Sequence, residues 1–207
     1  MTNSNEIWNL IWSGWLAVWP TQLFALIWIG WLISWVAASF WSARTEKRPM
    51  TWAAGAYRIP IVIGGLLLTP WVAEAFGARP IWNVGIAGAY TLAGLTLAGV
   101  LFTWWARIHL GRLWSNAITR KQDHRVVDTG PYRFVRHPIY TGLIAAILAT
   151  GAAVATVTAL LGAALISLGL WQKARIEESF LIAELDPSAY RSYRSRVPML
   201  IPFLSRH

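Results

Sequence analysis

The sequence predicts an all-α integral membrane protein with about five transmembrane helices. The last two are expected to form a tight helical hairpin, followed by a cytoplasmic C-terminal helical tail. Three observations carry this expectation. Of the 207 residues 56% are hydrophobic and only 13% are charged, against about 25% charged in soluble domains. The apolar residues fall in runs long enough to cross a bilayer, and the basic residues collect in alternate connections between them.

The first span is read over Thr21–Trp41, which easily meets the requirement of about 20 apolar residues. The preceding run, Ile7–Trp19, is too short to span alone and ends at Pro20. Its Trp8, Trp12, Trp15 and Trp19 recur at helical spacing, a stripe suited to the membrane interface or to an extension of the first span. Met1–Glu6 carries no lysine or arginine, and no small-residue cleavage site follows, so a cleavable signal is not expected.

A second span is expected from Ile59 to Phe76, with Pro60 near its start and Pro70 near its end. The third runs from Ile81 to Trp105, where Gly85, Gly88, Gly94 and Gly99 offer close helix approach. The block Ile139–Trp171 is too long for one span and barely long enough for two, so a hairpin turning around Gly151 is expected. The helix then continues from Trp171 to Leu185. Asp186-Pro187 provides an N-cap with proline at the first helical position, so a further short helix begins there and ends at Val197-Pro198. The run 199–204 is apolar enough to fold back on the membrane surface.

Charge placement tests this count. Arg44, Lys47 and Arg48 follow the first span, only Arg79 separates the second from the third, and a dense basic set from Arg107 to Arg136 follows the third. The hairpin tip has no basic residue, and the tail holds Lys173, Arg175, Arg191, Arg194, Arg196 and Arg206. The positive-inside rule then puts the N-terminus outside and the C-terminus in the cytoplasm. The net charge of +9 flanks apolar runs and forms no continuous patch, which favours a membrane surface over nucleic acid. The organisation expected is one domain over 1–207, with three spans in 1–105 and the polar, site-bearing half in 106–207.

Chemistry concentrates in Gly130-Pro131-Tyr132-Arg133-Phe134-Val135-Arg136-His137-Pro138-Ile139-Tyr140-Thr141-Gly142, at the edge of an apolar block. Polar groups held at that depth mark function by default. A hairpin starts and ends on one side of the membrane, so it brings Tyr140 near Glu177. The absence of cysteine excludes disulfides, thiolate metal sites and a cysteine nucleophile. The four histidines are dispersed with no i, i+4 pair, so no metal site is expected. Gly130 and Gly142 are isolated and make no phosphate loop. Carboxylates, aromatic rings and cations remain, a set suited to a cationic or zwitterionic organic cofactor.

Arg136-His137-Pro138-Ile139-Tyr140, then Glu177-Glu178, then Tyr190-Arg191-Ser192-Tyr193 and Val197-Pro198, resemble the isoprenylcysteine carboxyl methyltransferase family. Related phospholipid methyltransferases share much of the pattern. The likeness covers roughly Ser115 to Phe203. It implies S-adenosylmethionine as cofactor, bound at the cytoplasmic side in a site open to the bilayer, and a lipidic or prenylated acceptor. By matching position, it implies cofactor contacts at His124, Arg125, Val126, Val127, Tyr132, His137, Pro138, Ile139 and Tyr140. Glu177 corresponds to the acid near the methionine end of the cofactor. Lys173 falls where some members carry a substrate-binding arginine, with Arg175 close by. Lysine cannot form the bidentate carboxylate clamp of a guanidinium, and Ala117 replaces a glutamine found in some members; both departures concern the acceptor.

No catalytic base is assigned: a carboxylate acceptor needs none, and an amine acceptor would draw on His137 or a glutamate. Glu178 is read as a solvated helix face pairing with Lys173 and Arg175, the Arg191–Arg196 run as headgroup contacts, and Arg107 and His109 as the end of the third span. The alternatives are an NADPH-dependent reductase resembling the sterol reductases, which share an Arg-His-Pro-x-Tyr-x-Gly element, a phospholipid N-methyltransferase, and a non-enzymatic scaffold. Small size and Ala- and Trp-rich spans point to a prokaryotic inner membrane.

Overall fold

The computed structural model describes residues 4–40, 45–47, 55–111, 114, 120–121, 127–184 and 187–204. Helices dominate: α1 (Ser4–Ser39), α2 (Arg58–Leu67), α3 (Pro70–Ala75), α4 (Gly85–Leu110), α5 (Pro138–Val154), α6 (Val157–Glu184) and α7 (Pro187–Arg196). A 3-10 turn covers Gly130–Arg133. Two short strands, β1 (Thr45–Lys47) and β2 (Arg120–Lys121), pair antiparallel.

Pro20–Ser39, Gly85–Leu110 and Val157–Ile182 are long and apolar enough to cross a membrane, with Arg58–Leu67 and Pro138–Val154 as shorter apolar helices. Leu26, Ile29, Ile33, Leu95, Leu101 and Leu161 stand exposed on the long helices, as lipid-facing side chains do. The protein is an all-α integral membrane protein.

Several boundaries differ from the sequence expectation, each for a local reason. Helix α1 runs straight through Pro20, so the Ile7–Trp19 run extends the first span. The expected second span is split: α2 ends at Leu67, and α3 begins at Pro70 after an extended Thr69. Proline lacks the N–H a continuing helix needs and opens a new first turn instead. The third span starts at Gly85 and continues to Leu110. The hairpin turns at Ala155, whose φ of 59° is left-handed, and not at Gly151, which lies inside α5. Thr156 starts the return helix by accepting the Ala159 N–H at its hydroxyl, 3.2 Å away.

Close helix contacts set the architecture. A Cβ on Gly99 of α4 would lie 2.6 Å from the Gly142 carbonyl of α5, and one on Gly142 would lie 2.5 Å from the Gly99 carbonyl. Gly64 of α2 and Gly162 of α6 meet in the same way. Gly94, expected at a helix contact, has open space beside it. At the hairpin tip the Ile81 N–H donates to the Ala155 carbonyl at 2.8 Å and the Trp82 indole to the Ala152 carbonyl at 3.2 Å. The charged residues of α6, with Tyr140 of α5, lie toward the opposite end.

Arg107 is fully buried and closes two helix ends. Its Nη1 donates to the Gly111 carbonyl and its Nη2 to the Ala38 carbonyl, both at 2.7 Å. The guanidinium also lies 4.5 Å from the Trp114 ring. The reading of Arg107 as the end of the third span holds, with the end of α1 tied in.

Candidate active site

The chain enters the site through the 3-10 turn. Gly130 has φ 57°, and a Cβ there would lie 2.6 Å from the His109 ring. Glycine alone allows both the conformation and the approach. Tyr132 is thereby buried, its ring stacked on His109 at 6.3 Å between centroids. His137 then caps α5, with Pro138 in the first turn. This leaves the first turn of α5 facing the end of α6, which carries Lys173 and Glu177 four residues apart on one face.

The side chains meet closely. The Tyr140 hydroxyl donates to Glu177 Oε1 at 2.6 Å. His137 stacks on Tyr140, with centroids 5.6 Å apart and planes 9° from parallel. Its Nδ1 lies 3.6 Å from Glu177 Oε2, and its Nε2 lies 3.3 Å from Glu178 Oε1. The Lys173 ammonium sits 5.2 Å from the Tyr140 ring centroid and 5.5 Å from that of Tyr57. Tyr57 reaches this point because Gly169 lets the Tyr57 carbonyl press against α6; a Cβ at Gly169 would be 2.8 Å from that oxygen.

A second layer braces the first. Arg136 Nε donates to Glu178 Oε1 at 2.6 Å, with 0% and 4% of the two side chains exposed. Arg136 Nη1 donates to the carbonyls of Arg194 and Val197. Arg194 Nε lies 3.6 Å from Glu178 Oε2. The expectation that Glu178 lies on a solvated face with Lys173 and Arg175 is therefore wrong. Neighbouring residues on a helix diverge by about 100°, so the Glu177-Glu178 pair serves two directions: Glu177 toward Tyr140, Glu178 toward Arg136. Arg194, read as a headgroup contact, is partly exposed and also reaches Glu178 from the surface.

The tail closes over the site segment. The N–H groups of Arg136 and His137 donate to the carbonyls of Pro198 and Met199 at 2.9 and 3.1 Å. The Thr141 hydroxyl donates to the Leu200 carbonyl at 2.7 Å. Tyr193 donates its hydroxyl to the Tyr132 carbonyl at 2.7 Å. Burial pushes the Tyr132 and Tyr193 phenols well above their ordinary pKa, so Tyr193 is a neutral donor at physiological pH. Tyr190, Tyr193 and Val197 form a small core with Leu181 and Ile182 of α6.

The residues expected in the site are thus partly brought together. His137, Tyr140, Lys173 and Glu177 converge. Pro138 starts the helix, and Ile139 is buried with Tyr132, Ala106 and Trp114, with Val127 against them. Tyr132 supports the site from behind. Arg175 is exposed, its guanidinium 5.4 Å from the Trp171 ring, beside a shallow cleft of about 270 Å³ lined by Ala56, Tyr57, Trp171, Gln172, Arg175 and Ile176. His124, Arg125 and Val126, like Ala117, lie outside the described residues. Sequence reasoning missed Tyr57, for which no local pattern gives a signal. It also missed the roles of Arg136 and Glu178, for which the paired bases facing paired acids were an available clue.

Residues 92–183, which carry α5, Glu177 and Glu178, match the isoprenylcysteine carboxyl methyltransferase (ICMT) family. Through this segment the chain is similar to that family. Among its relatives is the protein-S-isoprenylcysteine O-methyltransferase of Schizosaccharomyces pombe, 33% identical over 105 residues, 48% of this chain and 43% of that protein. Methanethiol S-methyltransferase 1 of Bradyrhizobium diazoefficiens is 46% identical over 72 residues, 35% of this chain and 24% of that protein. The methanethiol S-methyltransferase of Crocosphaera subtropica is 35% identical over 75 residues, 36% of this chain and 28% of that protein. The matches therefore span less than half the length of each of these relatives. The ICMT segment runs from α4 through most of α6, so it contains the hairpin and both acidic residues but not Tyr57 or the tail.

Proposed function

We propose that this chain is a membrane methyltransferase that uses S-adenosylmethionine to methylate a lipidic or amphiphilic acceptor at the membrane face. The observation that carries the reading is the Tyr140–Glu177–His137 cluster at the open end of the hairpin, walled by the Tyr57 and Tyr140 rings. The donor set fits the cofactor. Glu177 supplies a carboxylate for an ammonium group, and the aromatic faces suit a sulfonium or a ring. S-adenosylmethionine, when bound, supplies an electrophilic methyl group on sulfur. The remaining contribution of the protein is alignment and exclusion of water; alignment alone can lower a barrier by up to about 7–11 kcal/mol. Tyr140 holds Glu177 by one short hydrogen bond, and Glu178 holds His137, so the acid and ring are oriented before any ligand arrives.

Lys173 gives the acceptor subsite a single positive charge between two aromatic rings. An isoprenylcysteine-like carboxylate is already ionised and needs no base. A second reading, a small thiol acceptor, is supported by the methanethiol S-methyltransferase relatives and by a lysine in place of the bidentate clamp. The alternation of basic connections supports a site at the cytoplasmic face with the N-terminus outside, and the small size and Ala- and Trp-rich spans favour a prokaryotic inner membrane. The domain division follows: residues 106–207 hold the cofactor, and the preceding spans contribute Tyr57.

Calorimetric titration of the detergent-solubilised chain with S-adenosylhomocysteine and with NADPH tests the cofactor. Binding of S-adenosylhomocysteine that is weakened in Glu177→Gln is expected. Binding of NADPH alone would replace this reading with a reductase, and binding of neither with a scaffold. A radiolabelled-methyl assay offering a prenylcysteine analogue, extracted phospholipid and methanethiol in parallel then separates the acceptors.

A further inference from the structure

An aromatic ladder leaves the membrane-spanning surface of α4 and continues onto the tail. Between centroids, Phe102 and Trp105 meet edge-on at 5.8 Å, Trp105 and Phe134 lie tilted at 6.4 Å, and Phe134 and Phe203 meet edge-on at 6.5 Å. Trp105 is exposed at the site end of a helix long and apolar enough to span a bilayer. At the far end of the ladder Ile201, Phe203 and Leu204 are 61%, 88% and 60% exposed. The Arg133 guanidinium lies 4.6 Å from the Phe134 ring, placing a cation beside the ladder. Phe203 takes φ 62°, a conformation uncommon for a bulky residue and one that needs outside support.

We propose that Ile201, Phe203 and Leu204, with Phe134 and Trp105, form a lipid-binding knob. It docks the tail in the interface of the bilayer and thereby holds the His137 segment in place. The occupant follows from continuity: the ladder begins on a lipid-facing span, so its next rungs lie at headgroup depth, where aromatic rings and a basic neighbour are favoured. The consequence for the site follows from the hydrogen bonds. Pro198, Met199 and Leu200, immediately before the knob, accept from Arg136, His137 and Thr141. A tail that leaves the interface loses the support that keeps those three carbonyls on the first turn of α5. The knob is thus a membrane contact that preorganises His137 and Tyr140.

Two measurements on the full chain in nanodiscs of phosphatidylcholine and phosphatidylglycerol test this. The sequence has no cysteine, so Leu204→Cys carries a single nitroxide label. Its collisions with oxygen are expected to exceed those with an aqueous nickel chelate, whereas a label at Ser192→Cys, on the exposed face of α7, shows the reverse. A Leu204→Cys label as accessible to nickel as that at Ser192→Cys overturns the docking, and so does spin–spin broadening that reports a second copy on the knob. Hydrogen exchange at the Arg136 and His137 amides tests the coupling. Phe203→Ser and, separately, Ile201→Ser are expected to speed that exchange about tenfold through local opening, and Phe203→Leu to leave it near wild type. Unchanged exchange in both serine variants overturns the coupling. Neither readout requires methyl transfer, so an inactive chain would strike the proposed function and leave this inference standing.

Discussion

Glu178 and Tyr140 show how single side chains set this site. Glu178 is buried and ion-paired to an Arg136 that is itself buried. Removing one member of such a pair leaves an uncompensated charge and costs about 3–5 kcal/mol. Glu178→Ala is therefore expected to lower the melting temperature in detergent markedly, and Glu178→Gln, which keeps one acceptor, by less; thermal unfolding followed by circular dichroism reads the difference. Tyr140→Phe tests a different bond. It keeps the stack on His137 and deletes the 2.6 Å hydrogen bond to Glu177, a charged bond of about 1.5–3 kcal/mol. The expected outcome is a fold that is retained but less stable by about that amount, and an S-adenosylhomocysteine affinity weakened by about tenfold, measured by calorimetry. The pairing of Tyr140 with Glu177 was legible in the sequence because a hairpin returns the chain to its starting side. The burial of Glu178 was not, because helical direction separates two adjacent acids only once their partners are placed.

At the scale of elements, helix contact is governed by glycines at particular heights. Gly99→Leu puts side-chain atoms into the backbone of α5, whose Gly142 carbonyl already lies 2.6 Å from a Cβ at that position. Overpacking of this kind costs about 1–3 kcal/mol. Gly94→Ala, one turn and a half earlier on the same helix, meets open space and is expected to be neutral or stabilising by up to about 1 kcal/mol. Equilibrium unfolding in mixed micelles distinguishes the two. The sequence shows which helix is rich in small residues but not which of them faces a neighbour. Gly85, Gly88, Gly94 and Gly99 were equivalent on paper, and of the four only Gly99 meets another helix. The breaks are more legible: Pro70 starts a helix wherever it stands, whereas Pro20 is tolerated within α1. The turn at Ala155 was unreadable, since nothing local marks an alanine for a left-handed conformation.

For the whole molecule, the proposed orientation makes a direct prediction. Val157→Cys at the hairpin tip and Ser192→Cys on α7 are both exposed positions. In intact cells a membrane-impermeant maleimide is expected to label Val157→Cys, and to label Ser192→Cys only after permeabilisation; the reverse pattern would invert the topology. Composition and run length by themselves determined that this chain is helical and lives in a bilayer, because the burial of backbone polar groups in lipid leaves few other solutions. The ordered motifs from Arg136 to Val197 determined the family resemblance, because those residue types recur at matching places along the chain. Tertiary structure decided which of them work together. It turned Glu178 inward, placed Tyr57 from a distant segment beside Lys173, left Arg175 on an outer wall and laid the tail across His137. These are outcomes of helix rotation and close backbone approach, which depend on every packed neighbour at once and are therefore written in no single stretch of sequence.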